Sequence, residues 1–489
     1  MILWKNGHIH TLNAHHDILT QMVTSDGVIV SFNPSEDLVY DHMIDLDGAH
    51  VYPGFVDAHM HILGYGEMLS LISLAHINKK PELISYIKKN LTKTTYIFYG
   101  LNHINLTKND LDHISTTLPI IIKHADYHTY TVNTLVLKTI GVDSEDGLLN
   151  EEQILLLNTH YLKYSITDLE NMIKKAIEKL YQYGVTGSHS DDLHYHNGYV
   201  ETLKAFKHVL NSNPFRAHLL IHHEELIHFK NSNDSFLGQD TYLQLGAVKM
   251  FYDGTLSSKT ALLKHPYKDL NHCGMQVVAD DIFINQVIEA RNLGMNVAIH
   301  VIGDQGLENV IDILKKYPPK KGLYDRIIHA SLLTEKALLA LKNLPITIDV
   351  QPQFISSDFP HHFDLFSQEP KYIYPFNSML KSGLIVCGSS DAPVEDPNPL
   401  LGMYHAVTRK QNNQQPLSKD EAISRMEALK LYTTYANIPT YKQNRGKIDI
   451  GFVADFTIFD SDILEVDIEL LKQIKPVMTV INEKIVYKK

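Results

Sequence analysis

The chain has 489 residues, 44% of them hydrophobic and 20% charged, the balance of an ordinary globular protein. A formal charge of -12 disfavours nucleic acid or an anionic membrane as the main partner, and two cysteines, Cys273 and Cys387, rule out a disulfide framework. With no apolar run of ~18 residues and no cleavable leader pattern, a cytoplasmic protein is expected.

Residues 1–50 read as short strands. Asn6-Gly7 and Asp26-Gly27 supply turn signals between apolar runs such as Ile2-Leu3-Trp4 and Val28-Ile29-Val30. So few strands need others to complete a stable sheet. The stretch from Val51 to His61 then reads as a buried strand bounded by Pro53-Gly54 and ending in His59 and His61. Residues two apart on an extended backbone face the same side, so both imidazoles can address one divalent ion. A lone His-x-His among 29 histidines would carry little weight, so the later strands decide.

Residues about 90–160 fit neither strand nor helix periodicity well and read as an inserted segment. From about 160, helix and strand alternate. Thr167 and Glu170 form a capping-box pattern, and Leu169, Met172, Ile173, Ala176, Ile177 and Leu180 follow at helical spacing up to Gly184. The strand Val185-Thr186-Gly187-Ser188 comes next. Further strands are read at 245–248, 295–299, 326–328, 346–350 and 384–387, with helices near 282–293, 305–316, 334–342 and 376–382. Apolar strands separated by helices form a parallel sheet covered on its outer face, and this many units close most economically as a (β/α)₈ barrel. Strands return at 454–459 and 477–486, the latter with a turn at Asn482-Glu483. The expected fold class is α/β: a TIM-type barrel over 53–439, carrying the insertion near its mouth, with a small β-sandwich built from 1–52 and 440–489.

Barrel active sites lie where strands end at their C-terminal face. There the apolar runs deliver His59 and His61, Lys249, His300, His329 and Asp391. For Lys249 the ordinary alternative is an ion pair at a strand end, and for Asp391 a helix cap before Ala392-Pro393.

Several segments resemble the amidohydrolase superfamily of metal-dependent hydrolases, in particular its amidohydrolase-3 (YtcJ-like) branch, which includes N-substituted formamide deformylases. They are PGFVDAHMH, VKMFYDGTLSSKTA, HVIGDQG, RIIHAS, VQPQF, SSDAPVEDPNPL and GKIDIGFVADFTIFD, with ADYHTYTVNTLVLKTIGV in the insertion. The branch more often has Gly-Ser-Arg where this chain has Ser257-Ser258-Lys259. The resemblance implies that His59, His61 and Asp391 hold one metal and His300 and His329 a second. Lys249, carboxylated by carbon dioxide to a carbamate, would bridge them. One or two divalent ions are implied, zinc first among them, with iron, manganese and nickel also suited to such donors. Asp391 would shuttle the proton from water to a leaving nitrogen.

The implied reaction is hydrolysis of an amide C–N bond in a small molecule, an N-substituted formamide or N-acyl compound. The same site would also serve deamination or lactone or carbamate hydrolysis, and a metal-free binding member of the fold is the remaining alternative. A homo-oligomer such as a dimer fits the resemblance, although no stretch names an interface. Lesser substrate-pocket readings fall on His128 and Asn133 in the insertion, on His189 at the end of a strand, on Asp253 and Lys259 after Lys249, and on Gln353. Asp253 with Lys259 reads equally well as an ion pair.

Overall fold

A computed structural model describes residues 1–35, 39–101, 104–124, 129–149, 151–238 and 240–489. Eight parallel strands form the central sheet: β1 Phe55–Met60, β2 Val185–Ser190, β3 Arg216–His222, β4 Leu243–Phe251, β5 Val297–Val301, β6 Asp325–His329, β7 Ile346–Val350 and β8 Ile385–Gly388. Hydrogen bonding runs in chain order from β1 to β8. β1 and β8 meet without a ladder, and main-chain contacts join them at the rim. The Asp391 N–H donates to the His59 carbonyl at 2.8 Å and the His61 N–H to that of Ala392 at 2.7 Å. The Val56 N–H donates to the Tyr432 carbonyl at 2.7 Å, so this open edge also finds a partner.

The strands are buried on both faces because helices cover the outside. In helix Ile166–Tyr181 the residues expected at helical spacing, Leu169 through Leu180, all face the core. Its cap is Ser165 with Asp168, two residues earlier than the Thr167–Glu170 pattern: Ser165 accepts from the Asp168 N–H, and Asp168 accepts from the Ser165 N–H. β3 (RAHLLIH) alternates polar and apolar residues and was not among the apolar runs that the sequence offered.

The two ends of the chain complete each other in one mixed eight-stranded sheet. It comprises Ile2–His10, Ile18–Ser25, Val28–Ser31, His42–Asp45, His50–Pro53, Phe456–Phe459, Met478–Ile481 and Lys484–Lys488. These strands share continuous hydrogen bonding as one sheet formed by both ends of the chain. Asn6-Gly7 is not a turn but a bulge inside Ile2–His10, with Asn6 at φ 58. There the strand exchanges one parallel neighbour, His42–Asp45, for another, His50–Pro53. Asn482 and Glu483, both at positive φ, form the expected hairpin turn.

Between β1 and β2 lies a separate five-stranded sheet of Ile72–Ser73, Ile97–Leu101, Ile121–His124, Tyr130–Val132 and Leu148–Leu149. It starts earlier than the irregular stretch read from the sequence. Among the described residues, no helix is long and apolar enough to cross a membrane.

Candidate metal centre

The ends of β1, β6 and β8 bring His59, His329 and Asp391 together, with ligand atoms all within 4.8 Å of one another. Asp391 Oδ1 lies 3.3 Å from His59 Nε2 and 3.5 Å from His61 Nε2. The other ring nitrogen of His61 contacts the Asp191 carbonyl at 2.8 Å, which turns Nε2 toward Asp391. His329 Nδ1 sits 2.8 Å from Gln351 Oε1 and donates to it, leaving Nε2 with its lone pair. Gln351 is fixed in turn by donating to Ser389 Oγ at 2.8 Å. His300 packs edge-on to His329, ring centres 4.5 Å apart. Lys249 Nζ is buried 3.5 Å from His59 Nε2 and 3.3 Å from Asp191 Oδ2, over the ring of Phe251.

The electrostatics suit a cation. Burial lowers His59 to about 3 and His329 to about 4, and puts His300 well below its ordinary value, so these imidazoles are neutral donors. Burial works against the Asp391 carboxylate, yet His59 and His61 hold its pKa well below the usual range. For His61, burial is outweighed by Asp391, and the group rises to about 9. Neutral nitrogens and an anionic oxygen around a common point are a donor set for a divalent ion. The cluster holds His59 and Asp391 of the first implied set together with His329 of the second.

The amidohydrolase family matches residues 42–487. The chain belongs to the amidohydrolase family. YtcJ of Bacillus subtilis, an amidohydrolase by its name, is 32% identical over 100% of this chain and 99% of its own. The N-substituted formamide deformylase of Arthrobacter pascens is 22% identical over 99% of this chain and 98% of its own. Among solved structures, a metal-dependent hydrolase of Pyrococcus horikoshii superposes with a TM-score of 0.84 at 27% identity, covering 96% of this chain and 99% of that one.

This amidohydrolase is therefore a metal-dependent hydrolase of the superfamily, and its remaining pocket readings fall out unevenly. Asn133 is buried in the insertion. It accepts from the Ile120 and Val136 N–H groups and donates to the Ser115 and Leu118 carbonyls, leaving nothing to offer a substrate. His189 lies inside the barrel against His218, in a cavity lined by Arg216, Gln244 and Arg445 near the strand beginnings rather than at the rim. Asp253 accepts from the Leu262, Ile302 and Gly303 N–H groups and so ties two rim loops together instead of pairing with Lys259. Its burial raises it to about 7. Lys259 is half-buried at φ 58 in the loop after β4. Gln353 donates to the Asp396 carbonyl at 3.1 Å, while its Oε1 is buried without a protein partner. His128 lies outside the described residues.

Of the remaining rim residues, the sequence offered no role for Asp191 and placed His222 at the surface or in a loop, whereas Asp57, next but one to His59, reads from sequence as orienting a ligand or capping a turn. Asp191 follows β2, receives the Tyr195 hydroxyl at 3.0 Å and is the anion nearest Lys249. His222 ends β3 in register with Lys249. Asp57 accepts from the His59 and Ser390 N–H groups and the Ser390 hydroxyl, clamping β1 to β8 directly beneath the metal donors. Asking what every strand end delivers would have found Asp191. Finding His222 required recognising β3.

Proposed function

We propose that this amidohydrolase cleaves the C–N bond of a small N-formyl or N-acyl amine. The observation that carries this reading is the convergence of His59, His329 and Asp391, with Lys249 and His300 beside them, on one rim of the barrel. His59, His329 and Asp391, with His61 and His300 in support, would hold one or two divalent ions, zinc first among them. Bound there, such an ion supplies a Lewis acid that polarises the substrate carbonyl and makes water nucleophilic near neutral pH.

The chain's own groups supply the proton path. Asp391 is a carboxylate at neutral pH and accepts the proton that water loses as its oxygen bonds to the carbonyl carbon. It then delivers that proton to the nitrogen as the C–N bond breaks, giving a carboxylic acid and an amine. His329, oriented by Gln351, and His61, oriented by the Asp191 carbonyl, keep the donors aligned without ordering a loop. The test is to load the purified protein with Zn²⁺ and assay amine release from a panel of N-formyl and N-acyl amines. Inactivity across that panel, with turnover of lactones or aminated rings, would reassign the site to those reactions.

For Lys249 two readings have separate support. As a carbamate it would give the donors a bridging oxygen. As an ammonium it would pair with Asp191, the arrangement that the 3.3 Å contact favours, and leave one ion on His59, His329 and Asp391. Lys249→Ala separates them. Rescue of activity by short-chain carboxylic acids supports the carbamate, and unchanged metal content without rescue supports the ammonium.

A further inference from the structure

A second group of metal-type donors lies away from the rim, in the terminal sheet. His10 is the last residue of strand Ile2–His10, and His50 is the first of His50–Pro53. Asp462 follows Phe456–Phe459, the strand whose Phe459 pairs with His50. His10 Nε2 is 3.1 Å from His50 Nδ1, His50 Nδ1 is 3.7 Å from Asp462 Oδ2, and all three ligand atoms lie within 4.8 Å of one another. Zinc–nitrogen bonds of ~2.0–2.1 Å in a tetrahedral site separate neighbouring donor atoms by roughly 3.3 Å.

We propose that His10, His50 and Asp462 form a further divalent-metal site, of zinc type, that staples the beginning of the chain to its C-terminal part.

The surroundings hold these donors in place. The Tyr52 hydroxyl donates to Asp462 Oδ1 at 2.7 Å, and the Leu464 N–H reaches the same oxygen at 2.8 Å, so Oδ2 is the oxygen turned toward His50. His10 is stacked between neighbours, 4.3 Å from the Tyr52 ring and 5.4 Å from that of His50, and His8 covers the other side of His50 at 4.7 Å. His10 and His50 stand on adjacent strands, so hydrogen-bonded backbone sets their placement, and Asp462 in the loop after Phe459 is held by Tyr52 and Leu464. Burial lowers the pKa of both His10 and His50, so both rings are neutral at neutral pH, as metal-donating imidazoles are.

A hydrogen-bonded network leaves one of these contacts unmade. His50 Nδ1 faces both a histidine nitrogen and a carboxylate oxygen, and a single ring proton can serve only one of them. A divalent ion satisfies all three donors at once. Solvent would complete its coordination on the side where His50 and Asp462 are partly exposed, at 18% and 22%.

The experiment compares zinc stoichiometry in the full-length protein, His50→Ala and Asp462→Asn, each saturated with Zn²⁺ and freed of excess by gel filtration. Wild type is expected to retain one equivalent more than either variant. Added Zn²⁺ should also raise its melting temperature by more than it raises theirs. Asp462→Asn preserves shape and still accepts from Tyr52, so it gives the answer if His50→Ala fails to fold. A His329→Ala variant separates this site from the rim, because it should lose a rim equivalent and keep this one. Equal zinc content in wild type and Asp462→Asn overturns the proposal without bearing on the rim.

Discussion

Asp391 combines two features seldom found in one residue: a left-handed backbone at φ 56 and a carboxylate facing two imidazoles. Its N–H bond to the His59 carbonyl holds that backbone, so the oxygen is aimed before any ligand arrives. Asp391→Asn keeps the shape and loses the base, and kcat should fall by roughly 10²–10⁴-fold with the melting temperature nearly unchanged. Steady-state kinetics alongside a thermal melt check this, and undiminished kcat would remove Asp391 from the proton path. Gln351 acts one step further out. Gln351→Ala frees the His329 ring, and metal affinity should weaken by roughly 10–100-fold in a chelator competition. At this scale, legibility depended on how locally a role is encoded. His59 and His61 could be read directly because a two-residue period fixes which way both rings point. Gln351 could not, because its role exists only once β7 lies beside β6.

Elements meet at a few contacts that tolerate little change. Helix Ile62–Met68, which follows His61, crosses helix Ile166–Tyr181 at Gly66, where an added Cβ would lie 2.0 Å from the Met172 carbonyl oxygen. Gly66→Ala must push the helices apart and should cost about 1–3 kcal/mol in chemical denaturation, a loss that wild-type stability would disprove. Helix Asp304–Lys316 is tied to its surroundings through Glu308, which meets Lys264 at 2.9 Å, Thr334 at 2.7 Å and Lys336 at 2.8 Å. Burial opposes the charge, but these partners hold the Glu308 pKa at about 2, below the ordinary 4.5. The sign follows from that order. Above pH 4.5 the contribution is complete, and between 4.5 and about 2 the unfolded chain takes up a proton that the folded chain refuses, so stability falls. Glu308→Gln should therefore flatten the acid side of the stability curve in that window, and an unchanged slope would exclude this tie. Among elements, the amphipathic helices were legible because one face repeats every turn. β3 was missed because Arg216, His218 and His222 interrupt its apolar residues, on the same face of the strand as Leu220. Asn6-Gly7 was misread because a bulge and a hairpin turn draw on the same two residues, and only the neighbouring strands distinguish them.

Across the whole molecule, the terminal sheet is built into the floor of the barrel. Asp455 takes a two-point contact from Arg216 at the start of β3, 2.9 Å on each oxygen, and also accepts from the Asn482 N–H at 2.8 Å. Its carbonyl receives the Gly54 N–H just before β1, while the Thr457 and Thr479 hydroxyls reach the Gly184 and Tyr181 carbonyls beside β2. Both partners of the ion pair are nearly buried, so removing one leaves the other charged and without compensation, at a cost of about 3–5 kcal/mol. Asp455→Asn should show that loss, and its location makes a stronger statement testable. The single tryptophan, Trp4, is buried in the terminal sheet, so its fluorescence follows that sheet, whereas far-UV ellipticity follows mainly the barrel and its helices. If the floor joins the two into one cooperative unit, the two signals should lose amplitude at the same denaturant concentration in wild type. Both midpoints should then move down together in Asp455→Asn. Fluorescence that shifts alone, with ellipticity unmoved, would mean that the sheet is an appendage and that Arg216 is satisfied some other way.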